Sequence, residues 1–268
     1  ESLVGFPLAK QYKDRHEQIK KKCRHLNLDN YDELSPSNRI PIEIFQKCGH
    51  TELLTNTAEI IARSVKAKLA RMENPWSQES KGSNSYSFID GRLLLHFPEL
   101  ANLFENELST FLRQIFQTNF SVYYGLMYKT MPSTAACGSQ LWHTDSGPGC
   151  CINVMFYIDP VSEDAGPIQV ISLADSMRIE REFRKMLRKQ HGRIDGAKRR
   201  MLRNDFVDLY LAKNSVKSKT YKSLRPGLII PFLNNTFHRG NIVIGDTARR
   251  AVVFHCYPSS KKLSADSL

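Results

Sequence analysis

A mainly β chain with a helical N-terminal region is what this sequence predicts. In the second half, short apolar runs are punctuated by Gly, Pro, Asn and Asp. Through the first 120 positions, apolar residues fall at three-four spacing instead. Leu53, Leu54, Ile60, Ile61, Val65 and Leu69 mark one amphipathic helix, and Leu100, Leu103, Phe104, Leu108, Phe111, Leu112, Ile115 and Phe116 mark a second. Pro98-Glu99 would start that second helix well, since proline suits a first turn and a carboxylate complements the helix dipole. Polar residues 74–85 between them read as a loop.

Strands follow. Residues 150–159 form an apolar run ended by Pro160, residues 162–167 a turn, and residues 168–171 a second strand. Further on, Arg225-Pro226-Gly227 is a turn, 228–233 a strand, 234–240 a strand-loop edge, Gly245-Asp246 a turn and 249–257 a closing strand. Side chains alternate along a strand, so Arg249, Ala251 and Val253 share one face and Arg250, Val252 and Phe254 the other. Only one of the two arginines can then point into a barrel.

The residues that carry chemistry lie at those strand ends. His143-Thr144-Asp145 and the distant His238 supply two imidazoles and a carboxylate, the ligand set of the facial triad of non-haem Fe(II) oxygenases. Three ligands leave three adjacent positions on an octahedral iron, enough for a bidentate 2-oxo acid and dioxygen. Arg249, eleven residues after His238, could hold the far carboxylate of such an acid through two parallel hydrogen bonds.

With those motifs in view, the sequence resembles the phytanoyl-CoA dioxygenase family of Fe(II)- and 2-oxoglutarate-dependent oxygenases. The resemblance rests on Trp142-His143-Thr144-Asp145, Glu163-Asp164-Ala165-Gly166-Pro167-Ile168, Arg225-Pro226-Gly227, His238-Arg239-Gly240 and Arg249-Arg250-Ala251-Val252, and covers about residues 121–257. It implies a double-stranded β-helix, or jelly-roll, core over 121–268, with helical residues 1–120 packed on it and a basic helical insertion at about 173–222. It also implies iron on His143, Asp145 and His238, and the C5 carboxylate of 2-oxoglutarate on Arg249. Lys129 resembles a family lysine that contacts the cosubstrate, and Asn153 is placed with it. Trp76, in the expected loop over the mouth, and Trp142 and Thr144, beside the ligands, are substrate-contact candidates.

Two departures stand out. The family's Pro-Gly-Ser-His turn is replaced by Ile171-Ser172-Leu173-Ala174-Asp175-Ser176, so the substrate wall there is expected to differ. Where a small hydroxyl residue often follows the distal histidine by two, this chain has Gly240, so a second partner for the C5 carboxylate must come from elsewhere.

The formal charge is +11, and residues 178–222 hold fifteen Lys and Arg against five Asp and Glu. Residues 178–203 read as a helix with Met186, Leu187 and Ile194 as anchors and Gly192 and Gly196 as breaks. In the resembled fold an insertion there lies beside the entrance, so an anionic small-molecule substrate is expected, met by Arg181, Arg184, Arg188 or Arg239. A solvated basic helix is the plainer alternative. Nucleic acid is disfavoured, because the stretch after His238 lacks the Arg-x-Asn-x-Thr-x-Arg pattern of base-demethylating oxygenases.

No run of eighteen apolar residues is present, which excludes a helical membrane span. The six cysteines include no C-x-x-C pair and suit a reducing, cytoplasmic setting, with Cys150 and Cys151 as buried thiols facing opposite ways. The chain begins at Glu1 rather than Met, so a preceding segment stays open. Asp145 argues against halogenation, which needs a small residue at the carboxylate position. Hydroxylation of an unactivated C–H bond with release of succinate and CO2 is therefore the expected outcome. The alternatives are a non-catalytic jelly-roll binding protein, an oxygenase acting on nucleic acid or protein, and a zinc hydrolase on the same ligands.

Overall fold

The computed structural model describes residues 14, 17–22, 34–78, 84–90, 92–145, 151–189, 196–244 and 246–261, with backbone alone for 196–200. Cys23, Cys150, Gly192, Ile194, Gly245 and most of the polar stretch at 79–83 lie outside the described residues.

Two antiparallel sheets face each other. The major sheet runs β1 (Trp76–Gln78), β2 (Ser85–Phe88), β3 (Asn119–Thr130), β9 (Arg249–Ser259), β4 (Ile152–Tyr157) and β7 (Ile229–Leu233). The minor sheet runs β6 (Lys219–Thr220), β5 (Ile168–Val170) and β8 (His238–Gly240), and a single bridge from His143 to His238 extends it by one more segment. This is the double-stranded β-helix expected from the sequence.

Strand alternation divides the apolar residues into layers. In β4, Ile152, Val154 and Phe156 join Val252, Phe254 and Cys256 of β9 on the outer face, while Met155 and Tyr157 join Ala251 inside the barrel. The outer face is covered by helices α1 (Pro36–Cys48), α2 (Asn56–Leu69) and α4 (Ser109–Phe116), and by the short α3 (Leu93–His96). β4 is therefore buried along its whole length, which explains its unbroken apolar run. A third cluster, Trp142, Ile171, Ile179, Val207 and Phe237, lies outside the minor sheet under α5 (Leu173–Lys189) and α6 (Gly196–Asn214).

Several sequence expectations are corrected. The stretch read as a loop contains β1 and the first residue of β2, and these strands pair with each other while β2 docks on β3. Its strands carry few apolar residues and are held by non-local pairing, which periodicity does not register. The first helix begins only at Asn56, capped by Thr55, whose hydroxyl accepts from the Ala58 N–H at 3.1 Å; Leu53 instead bridges to Ile229. The second is broken into a 3₁₀ turn at Pro98–Leu100, a π-turn at Leu103–Glu107 and α4. The basic segment forms two helices, and Ile179 and Phe183, rather than Met186 and Leu187, are the buried anchors of the first. Gly227 at φ 87° is required by packing as well as by its turn, since a Cβ there would come within 2.6 Å of the backbone of Ala58 and Glu59.

Candidate metal centre

His143 and His238 sit opposite each other on adjacent backbone segments, their N–H and C=O groups bonded reciprocally at 3.0 and 2.9 Å. That pairing stacks the imidazoles on the inner face, with ring centroids 4.3 Å apart. The Asp145 N–H donates to Asn234 O at 2.9 Å, which turns its carboxylate toward both rings. Its oxygens lie 3.8 Å from Nε2 of His143 and 3.5 Å from Nε2 of His238. One ligand atom from each of the three falls within 4.8 Å of the others.

The protonation of both rings suits a metal. Nδ1 of His143 is 2.7 Å from Leu141 O, and Nδ1 of His238 is 3.0 Å from Thr236 O. A carbonyl only accepts, so each Nδ1 carries a proton and each Nε2 is the ring nitrogen that faces the shared space. Asp145 is steadied from the major sheet, where the fully buried Asn153 amide donates to its Oδ2 and the Cys151 thiol donates in turn to Asn153 Oδ1 at 3.6 Å. Two imidazoles and a carboxylate facing one point fit a divalent first-row ion.

Deeper in the barrel, Arg249 is 4% exposed. Its Nη2 donates to Thr130 Oγ1 at 3.3 Å and its guanidinium lies 5.8 Å from the Tyr157 ring, while buried Nε and Nη1 have no hydrogen-bond partner among the described residues. An unpaired buried cation is costly, and an anion would remove that cost. The glycine at 240 makes sense here, because a Cβ would sit 3.2 Å from Arg249 Nη2 and crowd the guanidinium. Arg250 faces outward, as alternation requires, and clasps Asp159 through Nε at 2.7 Å and Nη2 at 2.8 Å.

No family model matches the sequence, and no curated protein matches it. Solved structures do. The carbocyclase SnoK from nogalamycin biosynthesis, a non-haem α-ketoglutarate-dependent enzyme, superposes with a TM-score of 0.56 at 14% identity over 84% of this chain and 85% of its own. The epimerase SnoN of the same biosynthesis gives 0.55 at 11% over 87% and 89%. HygX from Streptomyces hygroscopicus, with nickel and 2-oxoglutarate bound, gives 0.54 at 11% over 84% and 88%. The shared feature is the jelly-roll fold.

The remaining site expectations fare differently, and alternation explains most of the outcome. Because His143 and His238 face inward, Trp142 and Arg239 face outward. Trp142 is 1% exposed, donates Nε1–H to Asp208 at 2.8 Å and lies under the Arg239 guanidinium at 4.4 Å. Arg239 also donates to Gln169 at 2.8 Å and Asp208 at 3.2 Å. Neither opens on the metal centre.

Lys129 is likewise out of phase with Thr130. It lies on the outer face with its Nζ 5.5 Å from the Trp76 ring and 5.2 Å from the Tyr86 ring, so it does not reach the Arg249 site. Trp76 packs edge-on against Phe88 on that same outer side instead of covering the mouth. Asn153 holds Asp145. Thr144 is half-buried between the two ligands.

Arg181, Arg184 and Arg188 belong to α5, whose buried face covers the outside of the minor sheet. Arg184 donates to Glu180 at 2.7 Å, and Arg181 lies 3.8 Å from Glu182. These arginines therefore do not line the barrel.

One residue near the site escaped the sequence reading. His255 pairs directly with Asn153 across β9 and β4, and burial lowers its pKa while the charge of Asp145 opposes the shift. The same alternation that assigned Arg249 places His255 on the inner face three steps further along the strand.

Proposed function

We propose that this chain is an Fe(II)- and 2-oxoglutarate-dependent dioxygenase, similar to the phytanoyl-CoA dioxygenase group, that hydroxylates an unactivated C–H bond of a small or medium-sized organic molecule and releases succinate and CO2. The observation that carries the reading is a pairing of two features. One barrel interior holds both the His143, Asp145 and His238 cluster and a buried arginine with two donors unpartnered among the described residues.

His143, Asp145 and His238 would hold the ion, and bound Fe(II) with 2-oxoglutarate would supply the oxidising chemistry for O2. Arg249, with the Thr130 hydroxyl beside it, would fix the distal carboxylate through charge-assisted bonds. Asn153 would keep the Asp145 carboxylate aimed at the ion. Tyr128, Met155 and Tyr157 in the interior cluster would exclude water around the cosubstrate. Carbocyclisation and epimerisation, named for two of the structural neighbours, could be built on the same residues, and the outcome depends on which substrate atom the site presents. An anionic group on the substrate would have to be met outside the barrel, since the described arginines of α5 lie beyond the minor sheet.

The test is titration of the metal-free protein with Fe(II) and 2-oxoglutarate without oxygen, followed by succinate measurement on admitting air. Stoichiometric uptake of both, with succinate formation lost in His143→Ala and Asp145→Ala, is expected. Uptake of both without succinate would favour a binding protein instead. Metal uptake that survives both substitutions would overturn the ligand assignment.

A further inference from the structure

The register between β3 and β9 slips once. Val122 pairs with Cys256 and Tyr124 with His255, which leaves Tyr123 as the extra residue of a β-bulge. In a regular strand Tyr123 and Tyr124 would face opposite ways. Here Tyr124 lies against His255, with ring centroids 5.8 Å apart and planes at 40°, and Tyr123 lies against Tyr257, also at 5.8 Å but edge-on at 80°. His255 and Tyr257 share the inner face of β9 with Ala251, two steps apart, whereas Cys256 and Phe254 pack with the helices on the outer face. The bulge thus brings two consecutive tyrosines to the inner side of one strand end.

This strip adjoins the metal centre. His255 pairs with Asn153, whose amide holds Asp145, and the charges of Asp145 and His238 both act on it. From there the strip runs outward to Tyr124 at 50% exposure and Tyr123 at 81%. The bulge therefore gathers Tyr123, Tyr124, His255 and Tyr257 into one aromatic strip on the major sheet, with Tyr124 exposed at its outer end and His255 at the end toward Asp145.

We propose that Tyr124 and His255, flanked by Tyr123 and Tyr257, form a stacking shelf for the substrate, and that the substrate carries a planar or flat-faced ring. The inference rests on the oxygenase reading, because it is proximity to the ion that makes the shelf a substrate site. Aromatic rings stack through dispersion and quadrupole matching, which favours a planar ring over a saturated one of equal size. The charge on α5 then has no part in selection at the shelf.

The probes are 2-naphthol and its saturated analogue, decahydro-2-naphthol, with the full chain carrying 2-oxoglutarate and Mn(II), whose unpaired electrons broaden nearby proton signals. We expect 2-naphthol to bind about three- to tenfold more tightly than the saturated alcohol, a range typical of aromatic pairing. We expect Tyr124→Ala to remove that preference, Tyr124→Phe to retain it, and Mn(II) to broaden the bound naphthol signals. Equal affinity for the two alcohols, or a preference that survives Tyr124→Ala, would overturn the shelf. Naphthol binding without Mn(II) broadening, in protein shown to hold Mn(II), would overturn its role as a substrate site. If Mn(II) does not bind yet the preference and its loss in Tyr124→Ala persist, the shelf stands and the oxygenase reading falls.

Discussion

Replacing Arg249 with Met should make the ligand-free protein more stable and the cosubstrate-bound protein less so. In the free protein the guanidinium is 4% exposed, with Nε and Nη1 unpartnered and a long 3.3 Å bond from Nη2 to Thr130. A buried unsatisfied polar group costs about 1–3 kcal/mol, more when charged, and Met removes those donors while keeping an unbranched chain of similar reach. Arg249→Met is therefore expected to melt higher without ligand, by about 2–4 °C for each kcal/mol gained. With 2-oxoglutarate the gap closes, and the order reverses where the binding lost exceeds the stability gained. The wild type gains about 2.7 kcal/mol at a ligand concentration a hundred times Kd. The variant loses about 2–5 kcal/mol of binding by leaving the carboxylate unpaired, a fall in affinity of roughly 30- to 4000-fold. Thermal melts of the two proteins with metal, with and without cosubstrate, should cross. Melts in which the variant is the less stable protein without ligand, and shifts as far as wild type with it, would refute the reasoning.

Other substitutions separate the roles of neighbouring residues. Asn153→Leu removes the donor that holds Asp145, and metal affinity should fall about 10- to 100-fold by competitive chelation, against complete loss for Asp145→Ala. Lys129→Met, on the outer face between Trp76 and Tyr86, should leave the cosubstrate dissociation constant within about twofold of wild type by calorimetry, as expected for surface changes away from a site. His50 is 6% exposed beside Tyr221, and burial lowers its pKa from 6.5 to about 4. The unfolded chain then binds the extra proton first, so stability is full above pH 6.5 and falls by about 3 kcal/mol as pH drops toward 4. Denaturant melts across that window should show the slope in wild type and a smaller one in His50→Gln.

The clustering of His143, Asp145 and His238 and the inward placement of Arg249 are legible because each depends on local rules: a spacing of two along one strand end, and a face assignment along one strand. The same rule, carried one residue either side of His143 and His238, turns Trp142 and Arg239 away from the barrel. What the sequence could not display was non-local. β1 and β2 exist because the edge of β3 offers them partners, and Tyr123 and Tyr124 share a face because of a register slip that leaves no mark in composition. Lys129 precedes the inward-facing Thr130 by one position, which on a strand is a whole face.

The basic insertion takes on a different meaning once its contacts are followed. The described cations of α5 lie mostly on its exposed face, and the polar residues that α5 and α6 send to the minor sheet are Ser176, Asn204 and Asp208. The Ser176 hydroxyl accepts from the Phe237 N–H at 2.9 Å, immediately before one ligand. Asn204 Oδ1 accepts from the Trp142 N–H at 3.0 Å, immediately before the other, and Asp208 binds both the Trp142 indole and Arg239. Each histidine-bearing segment is thus gripped from behind by α5 or α6, at residues whose parity points them away from the ion. The bonds between His143 and His238 fix the segments to each other, and these outer bonds fix the pair to the rest of the fold. Backbone placement sets side-chain geometry, so the insertion bears on the candidate metal centre through the wall of the barrel rather than across its mouth.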